Sequence, residues 1–146
     1  MTVLRATEFW HFAAMSYVRV DTATEYFQVS LEKEFGDIDS LETTYFVAFD
    51  GIHPVATCRI HILDDKTVKI ERVSVVTHRH GEGIGKILMQ EAEKWIQEQG
   101  YQKIKITSRE AVLGFYESLG YKTDYNSRIE NGIFTTLLTE KNLREV

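Results

Sequence analysis

The stretch Glu71–Lys86, ERVSVVTHRHGEGIGK, decides the fold of this chain. Its first part alternates valines with polar residues, as a β-strand does, and its second part places Gly81, Gly83 and Gly85 at the start of a helical pattern. The stretch therefore predicts a strand, a glycine-rich turn and a helix N-terminus. Because the first N–H groups of a helix have no partner within it and lie at the positive end of its dipole, the turn is suited to bind an anion.

Glycine spacing separates the nucleotide-binding motifs that such a turn could represent. A P-loop requires a glycine where this chain has His80, and Ser or Thr where it has Ile87. A dinucleotide fingerprint that starts at Gly81 requires a glycine at position 86, which is Lys86. Both motifs are excluded. The remaining pattern, G-x-G-x-G after a strand, fits either a diphosphate site or a tight turn without a ligand.

Towards the N-terminus, the pattern predicts a short strand, a helix that ends near Val20, and a second helix opened by a capping box of Thr22 and Glu25. An acidic loop over residues 36–42 follows. Three strands of an antiparallel meander then lead into the glycine turn: residues 45–49, 55–63 and 68–76.

Towards the C-terminus, a helix that Gly100 ends is followed by a short strand, and a Thr107–Glu110 capping box opens one more helix. Two last strands are joined near Asn131-Gly132. The predicted order, β-α-α-β-β-β-α-β-α-β-β, is that of a mixed α/β fold with one central sheet.

Composition restricts the class of protein. The chain has 146 residues and a formal net charge of -5, so we expect a single domain over residues 1–146 and no general affinity for nucleic acid or an anionic membrane. Cys58 is the only cysteine, which excludes an intrachain disulfide and a cysteine metal site; we predict no metal. No apolar run is long enough to span a membrane, and a cytoplasmic location is expected.

Two motifs in order resemble those of the GNAT superfamily of N-acetyltransferases. The family's pyrophosphate motif is Arg or Gln, two residues, Gly, one residue, and Gly or Ala; here it falls on His80, Gly83 and Gly85. Downstream, the segment AVLGFYESLGY over residues 111–121 is similar to the family's A-x-x-F-Y-x-x-x-G-F signature. The chain departs from the family at His80, and at Ser108, where members often carry Asn.

The resemblance implies a single-domain GNAT-like α/β fold, with a mixed sheet of about six to seven strands flanked by about four helices. It implies an acetyl-CoA-dependent N-acetyltransferase that acts on a primary amine of a small molecule or peptide, by direct attack in a ternary complex, as a monomer or homodimer. The residues it places against coenzyme A are Val73, Ser74, Val75, Arg79, His80, Gly81, Glu82, Gly83, Ile84, Gly85, Lys86, Ser108 and Phe115.

Such a reaction needs a base for the amine and an acid for the departing thiolate. The resemblance makes Tyr116 the predicted acid, through its phenol, and Glu71 the predicted base, acting directly or through water. His53 and His61 are alternative bases because imidazole titrates near neutral pH. A structural role in the core or on a strand remains open for each of these side chains.

The acceptor site is expected in the first two helices and the loop after them, where Tyr17, Arg19 and Tyr26 are predicted to contact the substrate. The acidic loop could attract a cationic amine, and Arg59 is predicted to bind a substrate carboxylate. Two alternatives to the enzyme stay open. One is a catalytically silent acyl-CoA-binding module, and the other is a Rossmann-like nucleotide binder with a parallel sheet.

Overall fold

A computed structural model describes residues 1–143, which contain seven strands and four α-helices. The strands are β1 (Thr2–Arg5), β2 (Thr44–Asp50), β3 (His53–Ile62), β4 (Thr67–Val75), β5 (Lys103–Arg109), β6 (Lys122–Asn131) and β7 (Phe134–Asn142). The α-helices are α1 (Phe9–Arg19), α2 (Leu31–Phe35), α3 (Ile84–Glu98) and α4 (Leu113–Ser118). A π-helix and two 3₁₀ turns complete the helical segments: Val20–Tyr26, Thr77–Arg79 and Glu110–Val112.

The strand order in the sheet is β1-β2-β3-β4-β5-β7-β6. This seven-stranded mixed sheet with four α-helices confirms the predicted GNAT-like α/β fold and the predicted order of elements. It also excludes the Rossmann-like alternative, because β2 pairs with both β1 and β3 in the antiparallel sense.

The prediction that the second helix opens at Thr22 is wrong. Helix α1 continues directly into the π-helix, and the Thr22 hydroxyl donates to Val18 O at 3.2 Å instead of capping a new helix. The second helix begins after Ser30, whose hydroxyl accepts from Lys33 N–H at 3.3 Å. A capping residue lies outside the helix it caps, and Thr22 lies within helical backbone.

The capping box predicted at Thr107 and Glu110 is also wrong. Strand β5 continues to Arg109, and Thr107 is paired with Leu138 of β7. A 3₁₀ turn then precedes α4, which begins at Leu113. No side-chain hydrogen bond caps the start of this helix. Strand pairing continues through Thr107–Arg109, where the local sequence pattern predicts the start of a helix. Each added strand pair satisfies backbone N–H and C=O groups.

The chain consists of two compact units, and the first comprises Met1–His61 and Arg72–Trp95. In this unit, Leu4 of β1 lies opposite Val47 of β2, and Val47 lies opposite Thr57 of β3. Met15 of α1 packs with Val47 and Phe49 in one buried cluster. Helix α1 thus contributes Met15 to this core, whereas Phe9 and Tyr17, which the sequence pattern places on the apolar face of α1, are 83% and 56% exposed.

The second unit comprises Ile62–Glu71 and Ile96–Val146. In it, Thr67–Lys69 of β4 pairs in parallel with Lys103–Lys105 of β5, so among the described residues of this unit the pairing ends before Glu71. Strand β7 lies antiparallel to both β5 and β6. The β6–β7 hairpin turns at Gly132, where φ is +66°, as the Asn-Gly sequence predicts.

No helix within residues 1–143 is both long enough and apolar enough to cross a membrane.

Candidate active site

The glycine turn forms a cradle of backbone groups at the N-terminus of α3. Gly81 and Gly83 have φ angles of +82° and +80°, which L-residues with a Cβ rarely adopt. The first helical hydrogen bond runs from Ile87 N–H to Gly83 O at 3.3 Å. The N–H groups of Ile84, Gly85 and Lys86 therefore have no acceptor within the helix, and they lie at its positive end.

Open space lies beside both glycines of the cradle. A Cβ added at Gly81 or at Gly83 would meet no heavy atom within 4 Å. Glycine is thus favoured at both positions because of the positive φ angles, and the space where a side chain would lie is open. A diphosphate, as in coenzyme A, can approach such a backbone closely and accept several N–H hydrogen bonds at once.

His80 contacts the strand end at the base of the cradle. Its Nε2 lies 2.8 Å from Val75 O, and because a carbonyl only accepts, Nε2 is the protonated nitrogen. The ring therefore links the turn to the end of β4. This use of the imidazole differs from the diphosphate contact predicted for position 80, because Nε2 already makes its hydrogen bond with Val75 O.

Arg79 is held by two carboxylates of the same unit. Its Nε donates to Glu82 at 2.9 Å, and its Nη2 donates to Asp50 at 3.0 Å. The predicted contacts of Arg79 and Glu82 with the cofactor would compete with this ion pair, which neutralises the guanidinium beside the turn.

The turn is also anchored from the π-helix. Asp21 Oδ2 accepts from Thr77 N–H at 2.9 Å, at the first residue of the 3₁₀ turn before the glycines. Sequence reasoning missed this contact, because Asp21 and Thr77 are 56 positions apart. The only local signal is an aspartate at the end of an amphipathic helix, and that pattern names no partner.

A cavity of about 410 Å³ lies beside the turn, within the first unit. It brings together the predicted acceptor residue Tyr17 and the alternative base His53, in a lining that comprises Tyr17, His53, Pro54, Val55, His78 and Arg79. Tyr17 and Tyr26 are 56% and 64% exposed, so both side chains are accessible from solvent.

Arg19 does not reach a position where it could contact a substrate. Its side chain is fully buried, with Nε donating to Glu34 at 2.7 Å and Nη1 donating to Asp39 at 2.7 Å. The guanidinium also lies 4.4 Å from the centre of the Phe35 ring. This placement is at odds with the predicted acceptor contact. Arg19 instead attaches α2 and the loop after it to α1.

Arg59 is likewise occupied by carboxylates of the chain. It is 2% exposed, and Nη1 and Nη2 donate to the two oxygens of Asp37 at 2.9 and 3.2 Å. Nη1 also lies 3.1 Å from Asp39 Oδ2. A substrate carboxylate would have to displace Asp37, so the predicted role of Arg59 is corrected to an internal, bidentate pairing.

The same arginines set the protonation of the acidic loop. Burial raises the pKa of Asp39, but hydrogen bonds from Arg19 and Tyr45 and the nearby arginine charges lower it by more, so the net pKa lies below its usual range. Burial and the hydrogen bond to Asp39 raise the pKa of Tyr45 to about 12. Asp39 is therefore ionised and committed to internal partners at neutral pH, and it is not available to attract an amine.

In the second unit, the predicted catalytic tyrosine lies in an aromatic cluster. Tyr116 of α4 is 7% exposed, and its ring centroid lies 5.1 Å from that of Phe115 and 6.1 Å from that of Tyr121. The edge-on geometry fixes the plane of the ring. The Tyr116 ring is thus held within this aromatic cluster.

The remaining predicted residues of this unit differ in accessibility. Ser108 is 1% exposed, and its hydroxyl donates to Arg109 O at 2.8 Å, so the side chain is committed to the backbone. Glu71 is half-buried on β4, with one carboxylate oxygen 3.9 Å from Lys69 Nζ. Residues 1–143 contain no group of three or more His, Cys, Asp or Glu side chains that could hold a metal ion.

The chain belongs to the acetyltransferase (GNAT) family, whose family model matches residues 8–121. Membership of this family supports an acyltransferase activity. A candidate acetyltransferase of Bacillus subtilis is 30% identical over 113 residues, which cover 76% of each chain.

Solved structures show the same fold. A candidate N-acetyltransferase from Lactobacillus plantarum superposes with a TM-score of 0.90 at 22% identity and covers 98% of each chain. An aminoglycoside 6'-N-acetyltransferase complexed with coenzyme A superposes with a TM-score of 0.79 at 15% identity and covers 97% of each chain.

Proposed function

We propose that this protein transfers the acetyl group of acetyl-CoA to a primary amine of a small molecule or peptide, by direct attack in a ternary complex. The observation that carries the proposal is the cradle at Gly81 and Gly83, with its free helix N–H groups and its open outer side. Family membership supplies the reaction class, and the structural relative bound to coenzyme A supports the choice of cosubstrate.

The cosubstrate supplies an activated thioester, and the residues of the chain hold it and move protons. The cradle residues 80–86 and the main chain of Val73–Val75 are the proposed contacts for the diphosphate and the pantetheine arm. Glu71 is the proposed base that takes a proton from the attacking amine. Tyr116 is the proposed acid that protonates the departing sulfur.

The acceptor contacts that remain in the proposal are Tyr17 and Tyr26. Both are exposed, whereas Arg19 and Arg59 are buried against carboxylates. An acceptor bound by two tyrosines would be recognised through apolar or aromatic surface and hydroxyl hydrogen bonds rather than through a fixed charge.

A titration and a turnover assay test the proposal together. Isothermal titration with acetyl-CoA is expected to show binding at one site per chain, and thiol release over a panel of amines is expected to exceed the rate without amine. S-acetylpantetheine, which keeps the thioester and the pantetheine arm but lacks the diphosphate, serves as the matched control for the diphosphate contact. Absence of acetyl-CoA binding would refute the proposal outright.

The silent acyl-CoA-binding module remains the second candidate, because His80 contacts Val75 O where the family usually places Arg or Gln. It predicts acetyl-CoA binding without thiol release for any amine. His80→Arg distinguishes the two cases, since a module silenced at this position should gain turnover, whereas an active enzyme should change little.

The proposal includes a single domain over residues 1–146, a monomer or homodimer, and a cytoplasmic location. A lone, fully buried cysteine fits a reducing compartment. Sedimentation of the purified protein tests the oligomeric state, and fractionation of cells tests the location.

A further inference from the structure

Strand β4 contains a backbone conformation that its sequence does not favour. Arg72 has a φ of +52°, in the left-handed region, and Gln28 is the only other non-glycine residue with a positive φ in residues 1–143. For an L-residue this conformation is disfavoured by roughly 5- to 30-fold in population. Such a conformation persists only where the surrounding structure holds it, and the Arg72 side chain makes interactions of this kind.

Those interactions come from α2 and the loop after it. Arg72 Nη2 lies 3.5 Å from Asp37 Oδ2, and Arg72 Nε lies 3.9 Å from Glu34 Oε2. Glu34 belongs to α2, and Asp37 follows that helix in the acidic loop. The Arg72 side chain is 38% exposed, so the pairing is partly screened by solvent.

The two carboxylates are themselves fixed by buried arginines. Glu34 accepts from Arg19 at 2.7 Å, and the Glu34 side chain is 8% exposed. Asp37 accepts two hydrogen bonds from Arg59. Because buried guanidinium groups hold both carboxylates in place, Arg72 meets an anchored target rather than two mobile side chains, and pairing with it costs less side-chain entropy.

The residue that follows this kink begins the segment proposed to bind the cosubstrate. A residue in the left-handed region changes the direction of a strand and leaves backbone groups out of the regular ladder. Val73–Val75 continues β4 from this point to its end, where Val75 O contacts His80.

We propose that Arg72 is a positioning residue: Glu34 and Asp37 hold it in the left-handed conformation, and this kink directs the main chain of Val73–Val75 towards the pantetheine arm. The inference rests on the proposed function for the role of Val73–Val75. It assigns to the acidic loop a task within the chain, in place of the attraction of an acceptor amine.

Glycine and alanine at position 72 separate the conformational role from a direct role of the charge. Arg72→Ala removes the ion pairs and retains the disfavoured φ, so the acetyl-CoA dissociation constant is expected to rise about tenfold. Arg72→Gly removes the same ion pairs but adopts a positive φ freely, so it should recover most of the affinity. Equal losses in both variants, or no loss in Arg72→Ala, would overturn the proposal.

Two further variants serve as controls. Gln28→Ala, at the other positive φ of +60°, should leave acetyl-CoA affinity unchanged. Asp37→Asn should weaken binding in the native background and have no further effect in Arg72→Gly, because the kink there no longer depends on the ion pair. An equal effect of Asp37→Asn in both backgrounds would contradict the inference.

Amide hydrogen exchange of the ligand-free protein keeps this test separate from the proposed function. Exchange in the segment 72–76 should accelerate in Arg72→Ala and in Asp37→Asn, with no change in the segment around Gln28. If the native protein fails to bind acetyl-CoA, the proposed function fails, and the exchange data still decide whether the ion pairs hold the kink. Unchanged exchange in Arg72→Ala would refute it.

Discussion

Replacement of Gly83 by alanine should weaken acetyl-CoA binding by about tenfold. Gly83 has a φ of +80°, and an L-residue pays roughly 1–2 kcal/mol in the left-handed region. No protein atom lies within 4 Å of the added Cβ, so the cost is one of backbone conformation and not of a clash within the chain. If the free loop relaxes to avoid this cost, acetyl-CoA binding must restore the native conformation of the turn, and the binding free energy falls by the same amount. A loss of about 1.4 kcal/mol raises the dissociation constant tenfold.

Isothermal titration with acetyl-CoA measures this effect, and thermal unfolding reports how much of the cost appears as lost stability. Gly51→Ala is the matched control, because Gly51 has a φ of +61° and equally open surroundings in the β2–β3 turn. It should lower stability without a change in acetyl-CoA affinity. Native affinity in Gly83→Ala would refute the cradle as the diphosphate site.

Three more outcomes are expected. Tyr116→Phe should lower turnover at least ~10-fold with little change in acetyl-CoA affinity, because only the proton donor is lost; unchanged turnover in the steady-state assay would remove Tyr116 from the mechanism. Asp39→Asn should cost roughly 3 kcal/mol in urea unfolding at pH 7. The native pKa of Asp39 is lowered, so its contribution to stability is present above the unfolded pKa of about 3.9 and is lost as the pH falls through the native pKa. The native protein should therefore lose stability below about pH 4 more steeply than the variant. Burial raises the pKa of the Cys58 thiol to about 12, so a disulfide reagent at pH 8 should modify the native protein far more slowly than the urea-unfolded chain; similar rates would contradict the burial.

Local sequence patterns predicted the features that depend on neighbours along the chain. The spacing of Gly81 and Gly83 predicted a turn with free backbone donors, and both residues have the positive φ that only glycine adopts at low cost. The Asn-Gly pair predicted the turn between the last two strands, where Gly132 has a φ of +66°.

Local patterns failed where a distant partner competed for the same groups. The Thr107–Glu110 pair has the spacing of a capping box, but pairing of Thr107 with Leu138 keeps that backbone in the sheet. Arg59 has the chemistry of a carboxylate ligand, and its partner is Asp37, 22 positions away in the same chain. Nothing near these residues in sequence indicates the competitor.

The sequence by itself determined the fold class, the order of elements and the glycine turn before α3, because hydrophobic period and glycine spacing are local properties of the chain. Only the tertiary structure decided which charges are committed internally. Arg19, Arg59 and Arg72 come from α1, β3 and β4, and they meet carboxylates of α2 and its loop only after these elements pack. Burial then determines whether a charged side chain is available to a ligand or is already neutralised within the protein, and burial depends on the packed structure as a whole.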